Sequence, residues 1–163
     1  MNIPEGIKKV AVLSVLKSGD QFLLLHRHRQ PNKDMFTPVG GKIDPFETPL
    51  QAAIRETREE TGIEVADMRY CGVLVETSPT PYNWISIVFI ADIPYQEAPY
   101  CKEGTLQWIP QSQLKEIPTP VTDWHIYDYL RQGKKFHFDA HYDADLNLLH
   151  MKDEWNDIIV FSK

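Results

Sequence analysis

A chain of 163 residues, 42% hydrophobic and 25% charged, has the size and composition of one globular domain and too much apolar content for a disordered chain. The formal net charge of -6, with Lys and Arg scattered along the chain, provides no basic stripe for a nucleic-acid backbone and argues against long DNA or RNA as a partner. Cys71 and Cys101 lack the spacing of a disulfide framework or a zinc knuckle, so they read as two packed free thiols. Residues Met1 to Lys9 carry no apolar core of a signal peptide, and no apolar run approaches a membrane span, which makes a cytoplasmic protein the expectation.

In chain order, Val10 to Leu16 and Phe22 to Leu25 flank the turn Ser18-Gly19-Asp20 and read as an opening hairpin. His26 to Pro38 is polar, basic and without period, so it reads as a loop leading into Gly40-Gly41. A helix is expected from Thr48 to Thr61, with Thr48 as its cap, Pro49 in its first turn and Gly62 just past its end. Leu50, Ala53, Ile54 and Thr57 follow the spacing of its buried face.

Strands follow at Tyr70 to Glu76, Ile85 to Ala91 and Thr105 to Ile109. Thr122 or Asp123 can cap a second helix running through Trp124, Tyr127 and Leu130 to Gly133. The alternation of Phe136, Phe138, Ala140 and Tyr142, answered by Leu146 and Leu148 across Asp143-Ala144-Asp145, reads as a closing hairpin. These elements make an α+β fold, a single domain over residues 1–163 with a mixed or antiparallel sheet.

At 100° per residue, Glu56 and Glu60 point in nearly the same direction on the first helix, with Glu59 beside them. Like charges at this spacing repel by a few tenths of a kcal/mol per pair. Two readings relieve the repulsion: a hard divalent cation shared with substrate phosphates, or a solvated face on which Arg55 reaches Glu59.

The surrounding residues choose between them. From Gly41 the chain runs GKIDPFETPLQAAIRETREETGI, with Glu47 after five residues and Arg55-Glu56-Thr57-Arg58-Glu59-Glu60-Thr61-Gly62-Ile63 after seven more. This resembles the Nudix box, GX5EX7REUXEEXGU, over residues 41–63; Thr57 at the first aliphatic position is the one soft departure. The resemblance implies the Nudix fold, a mixed sheet sandwiched between helices (α/β/α), and a hydrolase that cuts a diphosphate linkage with Mg2+, for which Mn2+ substitutes. It also implies that Glu59 and Glu60 bind metal, that Glu56 binds metal or acts as general base, and that the Gly40 carbonyl completes the coordination shell. Glu47 and Arg55 correspond to an ion pair holding the box loop, and Lys42 to a phosphate contact or a group orienting the base.

A second likeness lies after the box, where Cys101-Lys102-Glu103-Gly104-Thr105-Leu106-Gln107-Trp108-Ile109-Pro110 is similar to the corresponding stretch of MutT-type 8-oxo-dGTP diphosphatases. It implies that Glu103 approaches the metal from outside the helix, and that the substrate is a nucleoside triphosphate cut to a monophosphate and pyrophosphate. Other diphosphate-linked nucleotides, such as ADP-ribose or a nucleotide sugar, remain the rival substrates, acted on by a monomer or homodimer. A non-catalytic nucleotide sensor is the reading from a different class, and it is expected to have lost a box glutamate, whereas all are present here.

Arg27, in the run His26-Arg27-His28-Arg29, can place a guanidinium on substrate phosphates or lie in solvent. His137, Asp139 and His141 share one strand face and read as a solvated outer surface. Trp84, Trp108 and Trp124 read as core or rim aromatics, any one of which can stack on a base.

Overall fold

The computed structural model describes residues 6–163. Residues 1–5, part of the segment read above as lacking a leader, lie outside the described residues. The chain opens with β1 (Lys9–Ser18), β2 (Gln21–Arg27), β3 (Phe36–Thr37) and β4 (Val39–Lys42), followed by helix α1 (Pro49–Thr61). The strands β5 (Arg69–Thr77), β6 (Trp84–Asp92), β7 (Tyr100–Cys101) and β8 (Gly104–Pro110) come next. Helix α2 (Val121–Gln132) then leads to β9 (Phe136–Tyr142), β10 (Leu148–Asp153) and β11 (Ile158–Ser162).

All eleven strands join one sheet in the order β11-β10-β9-β5-β6-β1-β2-β8-β7, with β3 added to β2 and β4 to β1. The sheet is mixed, because β1 runs parallel to β6 and β5 parallel to β9 while the remaining pairs are antiparallel. Alternation along the strands gives each face its own core. Val12, Leu16, Leu23, Leu25 and Phe89 pack with Ala52 and Ala53 of α1 on one face. Val15, Phe22, Leu24, Val88, Phe136 and Phe138 pack with Ile126, Tyr127 and Leu130 of α2 on the other. A sheet with one helix on each face is the α+β sandwich expected from the sequence. Among the described residues, no helix is long and apolar enough to cross a membrane.

The edge of β1 that faces away from β6 is forked. Leu16 to Ser18 pair with β2, while Ala11 to Ser14 pair with Lys42 to Val39 of β4. The fork sets Gly40 opposite Leu13 and Gly41 opposite Val12, so the residues entering the box are held in the sheet. Gly40 is required there, since a Cβ would fall on the Val12 carbonyl oxygen.

Several sequence expectations need correction. The stretch His26 to Pro38 is not wholly a loop: Phe36 and Thr37 are buried and pair with His26 and Leu25. A two-residue strand is too short to display a period and is made by its partner strand. Neither Thr122 nor Asp123 caps α2, because Pro120 occupies the cap without a side-chain hydrogen bond and both residues lie buried in the first turn. Leu146 is not in the closing strand; it has φ 62 in the turn and is exposed. The hairpin is extended by β11, whose exposed Ile158 and Ile159 lack the alternation that marks a half-buried strand. On α1 the buried side chains are Ala52, Ala53, Thr57 and Thr61, with Leu50 and Ile54 packed only partly against the same core. Cys71 and Cys101 are free and buried, as expected.

Candidate active site

The start of α1 is fixed by local chemistry. Thr48 accepts from the Gln51 amide at 3.2 Å and the Gln51 side chain accepts from the Thr48 amide at 2.9 Å, a reciprocal cap contributing about 1 kcal/mol. Gly62 ends the helix at φ 74, its amide donating to the Arg58 carbonyl at 2.8 Å. Between these ends, Arg55 is the hub of the box. Its Nε donates to Glu47 Oε1 and its Nη2 to Glu47 Oε2 at 2.9 Å, while Nη2 also reaches the Lys42 carbonyl at 3.1 Å. Its Nη1 donates to Glu56 at 2.8 Å and to Glu59 at 3.2 Å. Hydrogen bonding to Arg55 lowers the Glu47 pKa, and the same pairing raises that of Arg55.

The three helix glutamates therefore occupy different environments. Glu59 is exposed toward Arg55. Glu56 is mostly buried and lies against Gly41, where any Cβ would collide with its carboxylate. Glu60 accepts from the Gly40 amide at 3.2 Å, so the carboxylate of α1 meets the start of β4. Burial pushes Glu60 up to about 7; the Glu56 and Glu103 charges add to the shift, and the Gly40 amide and Arg27 oppose it.

Glu103 sits in the turn between β7 and β8, half-buried, its carbonyl accepting from the His28 amide at 3.1 Å. Arg27 lies opposite Gly104, and its Nε donates to the Pro31 carbonyl at 2.7 Å. Lys42 is exposed at the end of β4.

Among the described residues, no three His, Cys, Asp or Glu side chains are gathered into a ready metal cluster. Glu56 and Glu59 are each paired with Arg55, at 2.8 and 3.2 Å. The donor chemistry nevertheless fits a hard cation: Glu60 is an oxygen ligand raised by burial and by two neighbouring acids, which a cation would relieve.

Glu60 opens into a cavity of about 640 Å³ on the α2 face of the sheet. Its lining includes Leu13, Arg27, Gly40, Gly41, Lys42 and Glu60. Glu76, Tyr82, Trp84, Asp123 and Tyr142 line it as well. Four of these, Glu76, Tyr82, Asp123 and Tyr142, had not been singled out from the sequence as site residues. One signal was present: Gly72, Leu74 and Glu76 lie in one phase of β5, so a carboxylate occupies an inward position. Of the tryptophans, Trp84 lines the cavity, whereas Trp108 donates to the Gln96 carbonyl at 2.8 Å and Trp124 packs on the core. His137 and Asp139 pair with each other at 2.8 Å on the outer face, away from the cavity.

A mixed sheet between two helices, with a capped glutamate helix delivering its carboxylates to a cavity, defines the architecture of a Nudix hydrolase. The NUDIX domain profile matches residues 7–130, and the chain belongs to the Nudix family, whose members generally use divalent metals and act on small nucleotide substrates. It is 30% identical over 125 residues to the Nudix hydrolase YvcI of Bacillus subtilis, covering 74% of this chain and 77% of that protein. It is 35% identical over 85 residues to an ADP-ribose pyrophosphatase of Methanocaldococcus jannaschii, covering 52% of this chain and 50% of that one, so it spans about half of this relative. The fold matches the crystal structure of the MutT protein from Bacillus halodurans with a TM-score of 0.79 at 24% identity, covering 90% and 97% of the two chains.

Proposed function

We propose that the chain is a Mg2+-dependent nucleoside triphosphate pyrophosphohydrolase of MutT type, releasing a nucleoside monophosphate and pyrophosphate, with 8-oxo-dGTP its preferred substrate. The observation that carries the reading is the position of Glu60, a half-buried carboxylate acted on by Glu56 and Glu103, lining a nucleotide-sized cavity. Gly40 (through its carbonyl), Glu56, Glu59, Glu60 and Glu103 are the residues that would hold the metal, Mg2+ or Mn2+. When bound, the metal supplies charge neutralisation on the non-bridging oxygens and lowers the pKa of the attacking water.

The protein's own groups do the rest. Arg27 and Lys42 hold the phosphates at the mouth of the cavity, Arg27 oriented by its bond to Pro31. Glu56 or Glu60 takes the proton from a water aimed at the β-phosphorus, and the oxygen of that water leaves in pyrophosphate. Glu47 and Arg55 keep the box loop against the helix. The enzyme acts in the cytoplasm as a monomer or homodimer.

The test is a comparison of kcat/KM for 8-oxo-dGTP, dGTP, ADP-ribose and a nucleotide sugar at one Mg2+ concentration, with both products identified. Isotopically labelled water is expected to mark pyrophosphate. A preference for ADP-ribose, the substrate in the name of the archaeal relative, would replace the triphosphate reading with that of a nucleoside diphosphate hydrolase.

A further inference from the structure

A second cavity, of about 470 Å³, lies at the other end of the elements that border the first. The first meets α2 at Val121 to Asp123 and the second meets it at Leu130 to Gln132. The helix rises about 14 Å from Thr122 to Arg131, and no residue of α1 lines the second cavity. Its floor, Cys71, Ile90 and Leu130, is buried and belongs to the core beneath α2. Five cations line it. Lys17 and Arg69 come from the end of β1 and the start of β5, and Arg131, Lys134 and Lys135 from the passage between α2 and β9.

No acid lines this cavity, in a chain whose formal net charge is -6. Asp92 beside it is shared by Lys17 at 3.8 Å and Arg69 at 2.6 Å, and Asp128 pairs with Arg131 at 2.7 Å. Lys134 lies 5.9 Å from the centre of the Tyr129 ring, and among the described residues neither it nor Lys135 has a carboxylate partner. Five cations against two carboxylates leave three charges uncompensated. The end of α2 explains part of this, since Gly133 closes the helix at φ 67 and cations suit the open carbonyls of a last turn. It does not explain Lys17 and Arg69, which the sheet brings from distant positions in the chain. Both Arg69 and Lys135 act on the Cys71 thiol, opposing the upward push of burial, so their charges reach over the floor. Gathered like charges repel, and an anion among them removes that cost.

We propose that this second cavity is a binding site for a diphosphate group, either inorganic or at the end of a nucleotide. It is a site apart from the one that carries out the proposed reaction and does not rest on that reading. The cations stand on two sides, Lys17 and Arg69 on the sheet and the other three beyond the helix, so a ligand that meets both carries more than one anionic group. Donors remain for it: Arg69 commits Nη1 to Asp92, and Arg131 commits Nε and Nη2 to Asp128, which leaves further N–H groups on each guanidinium. A guanidinium fork matches adjacent phosphate oxygens, and the lysines supply point charges.

The experiment is an NMR titration of the full chain, without divalent metal, with inorganic pyrophosphate, ADP and succinate in turn. The double substitution Lys134→Gln with Lys135→Gln and the single substitution Arg27→Gln are titrated alongside. Pyrophosphate is expected to shift the amides of Cys71 and of Arg131 to Lys135. The lysine substitutions should weaken its binding roughly tenfold or more, and Arg27→Gln, in the first cavity, should leave it unchanged. ADP binding no tighter than pyrophosphate assigns the site to the bare diphosphate, and tighter binding with the same amide shifts assigns it to a nucleotide; both support the site. Three results overturn it: no binding, succinate binding as tightly as pyrophosphate, or shifts confined to the surroundings of Gly40 and Glu60 and lost in Arg27→Gln. Arg69→Gln, on the opposite side of the cavity, decides the point if the lysine variant does not fold.

Discussion

Arg55 grips Glu47 with two edges of its guanidinium, Nε on one carboxylate oxygen and Nη2 on the other at 2.9 Å, and thereby ties the loop before α1 to the middle of the helix. The same side chain reaches the Lys42 carbonyl on the far side of the loop. Arg55→Ala is expected to release residues 42–48 and to lower activity about a hundredfold through misplacement of the box. Hydrogen exchange in the loop should rise in parallel. Lost activity with unchanged loop protection would assign Arg55 to the substrate instead.

Glu60 is the box carboxylate that meets both the start of β4 and the cavity. Chelation by EDTA should stop turnover, and Mg2+ or Mn2+ should restore it. Glu60→Gln keeps the volume and removes the charge, so kcat is expected to fall by about two orders of magnitude or more. The melting temperature should hold or rise, because a half-buried charge beside two other acids is gone. A fully active Glu60→Gln enzyme would move the chemistry to another residue.

Gly40 is closed against the backbone of β1, and an added methyl would strike the Val12 carbonyl. Gly40→Ala should therefore force β4 away from β1 and cost about 1–3 kcal/mol. Urea unfolding measures this directly. An unchanged midpoint would mean that β4 and β1 are not paired as described.

Asp123 makes stability depend on pH in a definite direction. Its folded-state pKa of about 8 lies above the ordinary 3.8, so between these values the folded protein holds a proton that the unfolded chain has released. Stability should therefore fall as pH rises from about 4 to about 8, by at most about 1.4 kcal/mol per pH unit for this one group. Glu60, raised to about 7, pushes the same way. Thermal melts across this range should show a decline in the wild type and a shallower one in Asp123→Asn. A decline no shallower in Asp123→Asn than in the wild type would mean that Asp123 is charged in the folded state.

The helix α1 was legible because every signal that sets it is local: a cap at Thr48, Pro49 behind it, and Gly62 at its end. The long strands were legible for the same reason, since their alternation is written in consecutive residues. What escaped depended on distant partners. Phe36 and Thr37 become a strand only because β2 lies beside them, and Asp123 looks like a cap until Pro120 is seen in that position. The box spacing pointed to Glu56, Glu59 and Glu60, but that Arg55 binds Glu56 and Glu59 while Glu60 takes the Gly40 amide is a property of side-chain geometry. Glu76 and Asp123 lie 47 positions apart in the chain and come together only because β5 and α2 border one cavity.

The lining of that cavity is drawn from residues scattered between Ala11 and Leu148, brought together by the sheet rather than by any one stretch of the chain. A substitution in β5, β6 or the first turn of α2 can therefore reshape the cavity while the glutamates of α1 stay as they are.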